Sequence, residues 1–231
     1  MTGRLGDRAW PAVDGDALLA VPLGATEQHG PHLPLSTDTD IAVALCADLA
    51  ERRADVLVAP ALAYGSSGEH AGFAGTVSIG QAATELVLVE LCRSACETFG
   101  RVVLVCAHGG NAEPLARAVA RLRGEGREVS AWGPSWRGDT HAGRVETSVM
   151  LALDADRVAL DRAAPGATAP LPELIDALRA EGVRAVAPNG VLGDPAGASA
   201  AEGRELLAAA AADLADHLDR RTESEPVGLA W

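Results

Sequence analysis

Four short runs constrain this chain more than anything else in it: ALLAVPLG at 17–24, DVLVAPAL at 55–62, RVVLVCA at 101–107 and EVSAW at 128–132. The first three are apolar at almost every successive position, so a strand there presents apolar side chains on both faces. Such strands need cover on both sides, which is the habit of a parallel sheet enclosed by helices. The segments between and after them have helical length and pattern: 39–53, 82–99, 111–126, 146–153, 172–181 and 201–220. The spacing predicts an α/β fold with a mostly parallel central sheet. A chain of 231 residues, 48% apolar, fills one such core. One domain is expected over 1–231, with 1–14 and 222–231 as loose or interface tails. Aromatics are only 3%, so Ala, Val and Leu must do the packing.

Charge narrows the function. Nineteen basic residues against 32 acidic ones give a net charge of -13, which disfavours nucleic acid and anionic membrane surfaces as partners. Every basic residue is Arg, so Schiff-base chemistry and a Walker A loop are excluded for want of a Lys. No signal segment and no membrane-length apolar run is visible, and a cytoplasmic location is expected. Cys46, Cys92, Cys96 and Cys106 form no CxxC pair and read as reduced, apolar side chains.

In sheets of this kind ligands gather beyond the carboxyl ends of the strands. The polar residues fall there. GATEQHGPHLPLSTDTD after the first run carries Glu27, His29, His32 and Asp38. HGGN after the third carries His108 and Asn111. GPSWRGDTHAGRVETS after the fourth carries Asp139, His141 and Glu146. Singly, each has an ordinary structural use: Asp38 as a helix cap, Glu146 as a first-turn acid, His108 as the partner of a carbonyl. Together, Glu27, His29, Asp38, His108 and Glu146 offer two imidazoles and three carboxylates, more than one catalytic zinc uses. The set suits two divalent cations sharing a carboxylate, and so a dinuclear hydrolase. Rival chemistries are weaker. HGGN lacks the spacing of a dinucleotide loop, GSSG at 65–68 is not a GxSxG elbow, and Cys106 lies inside an apolar run. His217, on a helix away from these loops, reads as a surface residue.

At these residues the chain resembles the creatininase family of metal-dependent amidohydrolases. The resemblance is carried by PLGATEQHGPHLPLSTDTDIA (22–42), PALAYGSSGEHAGFAGTVSIG (60–80), CAHGGN (106–111), DTHAGRVETSVML (139–151) and GVLGDPAGAS (190–199). It implies a three-layer α/β/α sandwich and a homo-oligomer, hexameric or octameric. It also implies two divalent ions per subunit, iron(II) or zinc, with manganese as a further fit. The family's Glu-x-His ligands fall on Glu27 and His29, its bridging Asp on Asp38 and its strand-end His on His108. Creatininase has a metal-binding Glu two residues after that His, where this chain has Gly110. The second ion is left one ligand short, and either Glu146 or water completes it. The family's active-site His falls on His141, and an active-site Trp falls near Trp136 with the spacing shifted by one.

Within the family, TEQHGPHLPL paired with YGSSGEHAGFAGT is similar to members that act as peptidases on a modified ribosomal precursor peptide, releasing its C-terminal Val-Tyr dipeptide. The mechanism expected is attack on the amide carbonyl by a hydroxide formed between the cations. His141, poised near neutrality, protonates the leaving amine, with Glu146 also among the catalytic candidates. Tyr64, His70 and Trp136 are the candidate substrate contacts, with Glu69 and Phe73 beside them and Arg144 near enough in sequence to meet a carboxylate. His32 is a candidate to orient a ligand. The alternatives are a small cyclic amide or formamide as substrate, or a non-catalytic metal-binding scaffold.

Overall fold

A computed structural model describes residues 3–136 and 138–220. Four parallel strands form one sheet in the order β2-β1-β3-β4: β1 (Leu18–Leu23), β2 (Val56–Val58), β3 (Arg101–Cys106) and β4 (Val129–Trp132). The long central pair runs in register from Leu18 opposite Arg101 to Leu23 opposite Cys106. Each strand lies inside one of the four apolar runs.

The doubly apolar strands feed two cores. On one face Leu18, Ala20, Val103 and Val105 pack against Ile41, Leu45 and Leu49 of α1 (Thr37–Arg52), Val149 and Met150 of α4 (Arg144–Asp154) and Leu214 of α7 (Ala200–Asp219). On the other, Leu19, Val21, Leu23, Val102 and Leu104 meet Leu88 and Cys92 of α2 (Gly80–Ala95) and Leu115 and Leu122 of α3 (Ala112–Gly124). The expected three-layer α/β/α sandwich is present. Burying a leucine is worth roughly 1.5–3 kcal/mol, so this packing, more than propensity, holds the helices in place.

A smaller apolar cluster lies outside both layers. Leu178 of α5 (Leu171–Glu181), Val183 of α6 (Val183–Val186), Ala187 and Leu192 pack with Phe73, Leu171 and Leu174. This wall follows the Pro- and Gly-rich stretch 163–170.

The N-terminal segment, expected over 1–14 as a loose or interface tail, lies against the sheet in its described residues. From residue 3 it is tied to the open edge of β2: Val58 N–H donates to the Gly3 carbonyl at 2.7 Å. Leu5 and Val13 pack against the α2–α3 core. An edge strand has a row of free backbone groups, and this segment satisfies part of it. The other expected tail, 222–231, lies outside the described residues. Among the described residues no helix is long and apolar enough to cross a membrane.

Candidate metal centre

The carboxyl ends of the strands open into loops that converge on one rim. The loop after β1 brings Glu27, Gln28, His29 and His32; α1 begins with Asp38 on its first turn; the loop after β3 brings His108. The loop after β2 contains a short turn, Gly68–His70, that carries Glu69 and His70. The loop after β4 brings His141, and α4 begins with Glu146 in its first turn. Glu27, His29, Asp38, His70, His108 and His141 are buried.

Asp38 sits at the middle. Its Oδ1 is 3.0 Å from His29 Nε2 and its Oδ2 is 3.3 Å from His108 Nδ1. Glu27 Oε2 is 3.2 Å from His108 Nε2, and Glu27 Oε1 is 3.3 Å from His70 Nε2 and 3.9 Å from His141 Nδ1. Glu146 Oε2 stands 4.0 Å from His29 Nε2 and accepts a hydrogen bond from Ala142 N–H at 2.5 Å. Ala142 holds a left-handed backbone, φ 54°, a conformation that costs a non-glycine residue about 1 kcal/mol or more. That strain lies directly beside His141.

Three groups of donors have ligand atoms within 4.8 Å of one another: Glu27 with Glu69 and His108, His29 with Asp38 and Glu146, and Glu27 with His29 and His141. Neither Glu27 oxygen receives an aligned hydrogen bond, and neither does Asp38 Oδ2, although all three are buried. Orphaned buried carboxylate oxygens are costly. Beside imidazoles, they form a donor set that fits divalent cations.

The protonation equilibria point the same way. Burial pushes the Glu27 carboxyl up to about 8, and burial also raises Glu146. Burial opposes charge on His29, yet the Asp38 carboxylate outweighs it and pushes that ring up to about 10. His108 is likewise pushed up to about 10, by Glu27 and Asp38 against burial. Burial would raise Asp38, but His29 and His108 hold it well below the usual carboxylate range. Without a cation the centre thus retains protons at neutral pH, keeping positive charge among its carboxylates.

His141 departs from the poised acid that the sequence suggested. Burial, together with charge on His29, drives it well below the ordinary imidazole value. Burial and the same neighbour push His70 down to about 3. His32 donates to or accepts from Thr147 Oγ1 at 2.9 Å, behind the centre.

A cleft of about 850 Å³ opens on the rim. Glu27, Glu69, His70, His108, His141 and Glu146 line its floor; Trp136, Leu171, Ile175 and Leu178 add apolar surface. Of the three substrate contacts expected, His70 and Trp136 line the cleft. Tyr64 does not: it is 54% exposed and lies outside the cleft lining, because the loop after β2 turns its side chain to the surface. Arg144 is engaged by Glu202 of α7 at 2.9 Å. The arginine that does line the cleft is Arg179 of α5.

Gln28 and Glu69 escaped the sequence reading as central groups. Glu69 was legible only as a neighbour of His70. Its access depends on Gly110, where a Cβ would run into Glu69 Oε1 and the Ser66 carbonyl. Gln28, between Glu27 and His29, should point away in an extended segment, but backbone bridges from His29 to Pro31 and Leu33 fold this loop tightly.

The creatininase family profile, described as creatinine amidohydrolase, matches residues 7–218. The mycofactocin precursor peptide peptidase of Mycolicibacterium smegmatis is 51% identical over 210 residues, 88% of this chain and 85% of that protein. The creatinine amidohydrolase of Pseudomonas putida is 32% identical over 234 residues, 87% and 88% of the two chains. Among solved structures, a mutant creatininase of Zn-Zn type superposes with TM-score 0.81 at 27% identity, covering 97% of this chain and all of that one. A manganese creatininase gives TM-score 0.80 at 27% identity, with the same coverage. The fold, the rim of donors and this kinship agree: the chain belongs to the creatininase family of metal-dependent amidohydrolases.

Proposed function

We propose that this chain is a peptidase that releases the C-terminal Val-Tyr dipeptide from the modified precursor peptide of the mycofactocin system. The carrying observation is the cleft. At about 850 Å³ it is far larger than a creatinine-sized ring requires, and it joins the donor cluster to an apolar wall. The 51% identity to a protein named for that activity supports the reading.

Two divalent cations fit the donors. Glu27, His108 and Glu69 would hold one, with Asp38 Oδ2 beside it; His29, Asp38 Oδ1 and Glu146 would hold the other. Asp38 would then serve both. Glu69, admitted by Gly110, stands close to where the family carries its own carboxylate, and Glu146 completes the second set. This mixed shell suits iron(II), zinc or manganese. When bound, the cations activate water and polarise the scissile carbonyl.

The protein's own groups do the rest. His141 arrives neutral, so its Nδ1 first takes a proton from the attacking water and then returns it to the leaving amine nitrogen. Trp136, Ile175 and Leu178 offer apolar surface to the departing side chains. Arg179 pairs with the free carboxylate of the peptide, a charge-assisted contact. The working form is a cytoplasmic homo-oligomer, hexameric or octameric; Val77, Ile79, Leu86 and Val87 supply exposed apolar surface for subunit contact.

Metal-loaded protein incubated in parallel with the modified precursor, the unmodified peptide and creatinine tests the assignment. Dipeptide release from the modified precursor is expected. The 32% identity to a creatinine amidohydrolase favours the second reading, and turnover of creatinine or a formamide alone would establish it. No turnover at any metal loading would leave a binding scaffold.

A further inference from the structure

Four imidazoles crowd the centre, and what stands behind each decides which nitrogen it can offer. His29 Nδ1 lies 3.2 Å from the Glu27 carbonyl and His141 Nε2 2.8 Å from the Gln28 carbonyl. A carbonyl only accepts. Each of those nitrogens therefore carries the hydrogen, and the neutral ring turns its other lone pair toward the carboxylates. His70 is the exception. Behind it stands the side-chain amide nitrogen of Gln28, 2.9 Å from Nδ1. An amide nitrogen only donates, so Nδ1 accepts and the hydrogen of the neutral ring sits on Nε2. That Nε2 is the atom facing Glu27 Oε1 at 3.3 Å.

The amide cannot be turned round. Gln28 Oε1 accepts from Gly30 N–H at 2.8 Å, and Gln28 Nε2 donates to the Gly190 carbonyl at 3.0 Å. A flip would set oxygen against oxygen and N–H against N–H. His141 Nε2 also lies 3.2 Å from the amide nitrogen, but its own hydrogen already goes to the Gln28 carbonyl. The two amide hydrogens are left for His70 and Gly190. The backbone is shaped to this amide: Gly190 has φ 79°, and a Cβ there would run into Gln28 Oε1.

We propose that Gln28 is a positioning residue of the centre, whose side-chain amide fixes His70 as the Nε2–H tautomer and so keeps the nitrogen that faces Glu27 from serving as a cation ligand. Its backbone carbonyl at the same time leaves His141 Nδ1 open. One residue sorts two adjacent imidazoles into opposite roles. The inference rests on the cation-centre reading and is independent of which amide is cleaved.

Nitrogen-15 NMR of zinc-loaded protein, labelled at the histidine rings, tests it. His70 is expected to show a protonated Nε2 and a lone-pair Nδ1. Gln28→Met keeps the length and removes the donor. His70 should then populate both tautomers, zinc affinity should fall about tenfold to hundredfold, and kcat should fall on the same scale. KM should stay within about twofold of its starting value. Gln28→Glu puts an acceptor behind the ring and should move the hydrogen to Nδ1. A wild-type spectrum with the hydrogen on Nδ1, or with His70 bound to zinc, overturns the proposal. So does a Gln28→Met protein with unchanged His70 signals and zinc affinity. If that variant does not fold, the wild-type spectrum decides alone. The spectrum needs no substrate, so a failure of the peptidase assignment leaves this result standing.

Discussion

The rim at the strand ends and the wall built from residues 163–193 line one cleft, yet they are held in different ways. The rim is buried, and its side chains grip one another: His29 on Asp38 Oδ1, His108 on Asp38 Oδ2, Gln28 behind His70. Each is fixed by a loop anchored in the central sheet. The wall has a small apolar cluster of its own, centred on Leu178, Val183, Ala187 and Leu192, and reaches the rim where Gly182 packs against the Glu69 carbonyl. A rigid rim suits chemistry, which tolerates little displacement of reacting groups. An added wall suits recognition, which can vary without disturbing the chemistry. On this division, rim variants should change metal content or kcat, and wall variants should change KM.

The largest effect belongs to Asp38. Asp38→Asn removes the charge both halves of the centre share, and elemental analysis should show loss of both ions with hydrolysis at background. A variant retaining two ions would show that Asp38 is not the bridge. Next comes His141. His141→Ala should lower kcat by about 10²- to 10⁴-fold, the usual worth of a positioned acid–base group, at unchanged metal content. A loss of metal in step with activity would make His141 a ligand instead.

Arg179→Gln probes the wall. KM for the peptide should rise about tenfold, corresponding to about 1.4 kcal/mol of lost binding, with kcat and metal content little changed. C-terminal amidation of the peptide should cost the unaltered protein a similar factor and cost the variant nothing further. Equal sensitivity of both proteins to amidation would move carboxylate recognition elsewhere.

The same division governs how much could be read from the residues alone. Strands 17–24, 55–62, 101–107 and 128–132 were legible because burial on both faces writes itself as unbroken apolar runs. The donors Glu27, His29, Asp38, His108 and Glu146 were legible because strand ends gather whatever polar groups follow those runs, and the structure brings all five to one rim. Glu69 was not legible as a central group, because its approach depends on the missing side chain of Gly110, a contact between segments some forty residues apart. Gln28 was hidden by the assumption of an extended loop. Arg179 lies in a helix whose pattern reports only that it packs, not what its exposed end borders. Tyr64 stands outside the cleft lining because a loop residue can turn either way, and nothing local decides which.

The smallest effect, and the one that separates rim from wall most cleanly, is the pH dependence of stability in chelated protein. Glu27 is raised to about 8, and His29 and His108 to about 10. A group whose folded value is raised contributes its stability below its unfolded value and loses it as pH rises through the folded one. Chelated protein should therefore lose stability as pH rises, through Glu27 between about 4.5 and 8 and through His29 and His108 between about 6.5 and 10. His70 and His141 are lowered, so they act in the opposite sense and only on the acid side, where stability falls as pH drops through about 6.5. Cations at the rim replace the retained protons, so the loaded protein should show little of the alkaline decline, and loading it near pH 7.5 should release about three protons. Melting temperatures of chelated and loaded protein across this range, with calorimetry in buffers of different ionisation enthalpy, measure both quantities. Arg179→Gln should leave the two curves where they were, whereas Glu27→Gln should flatten the chelated one. Parallel curves for chelated and loaded protein would mean that the protons are not held where the cations sit.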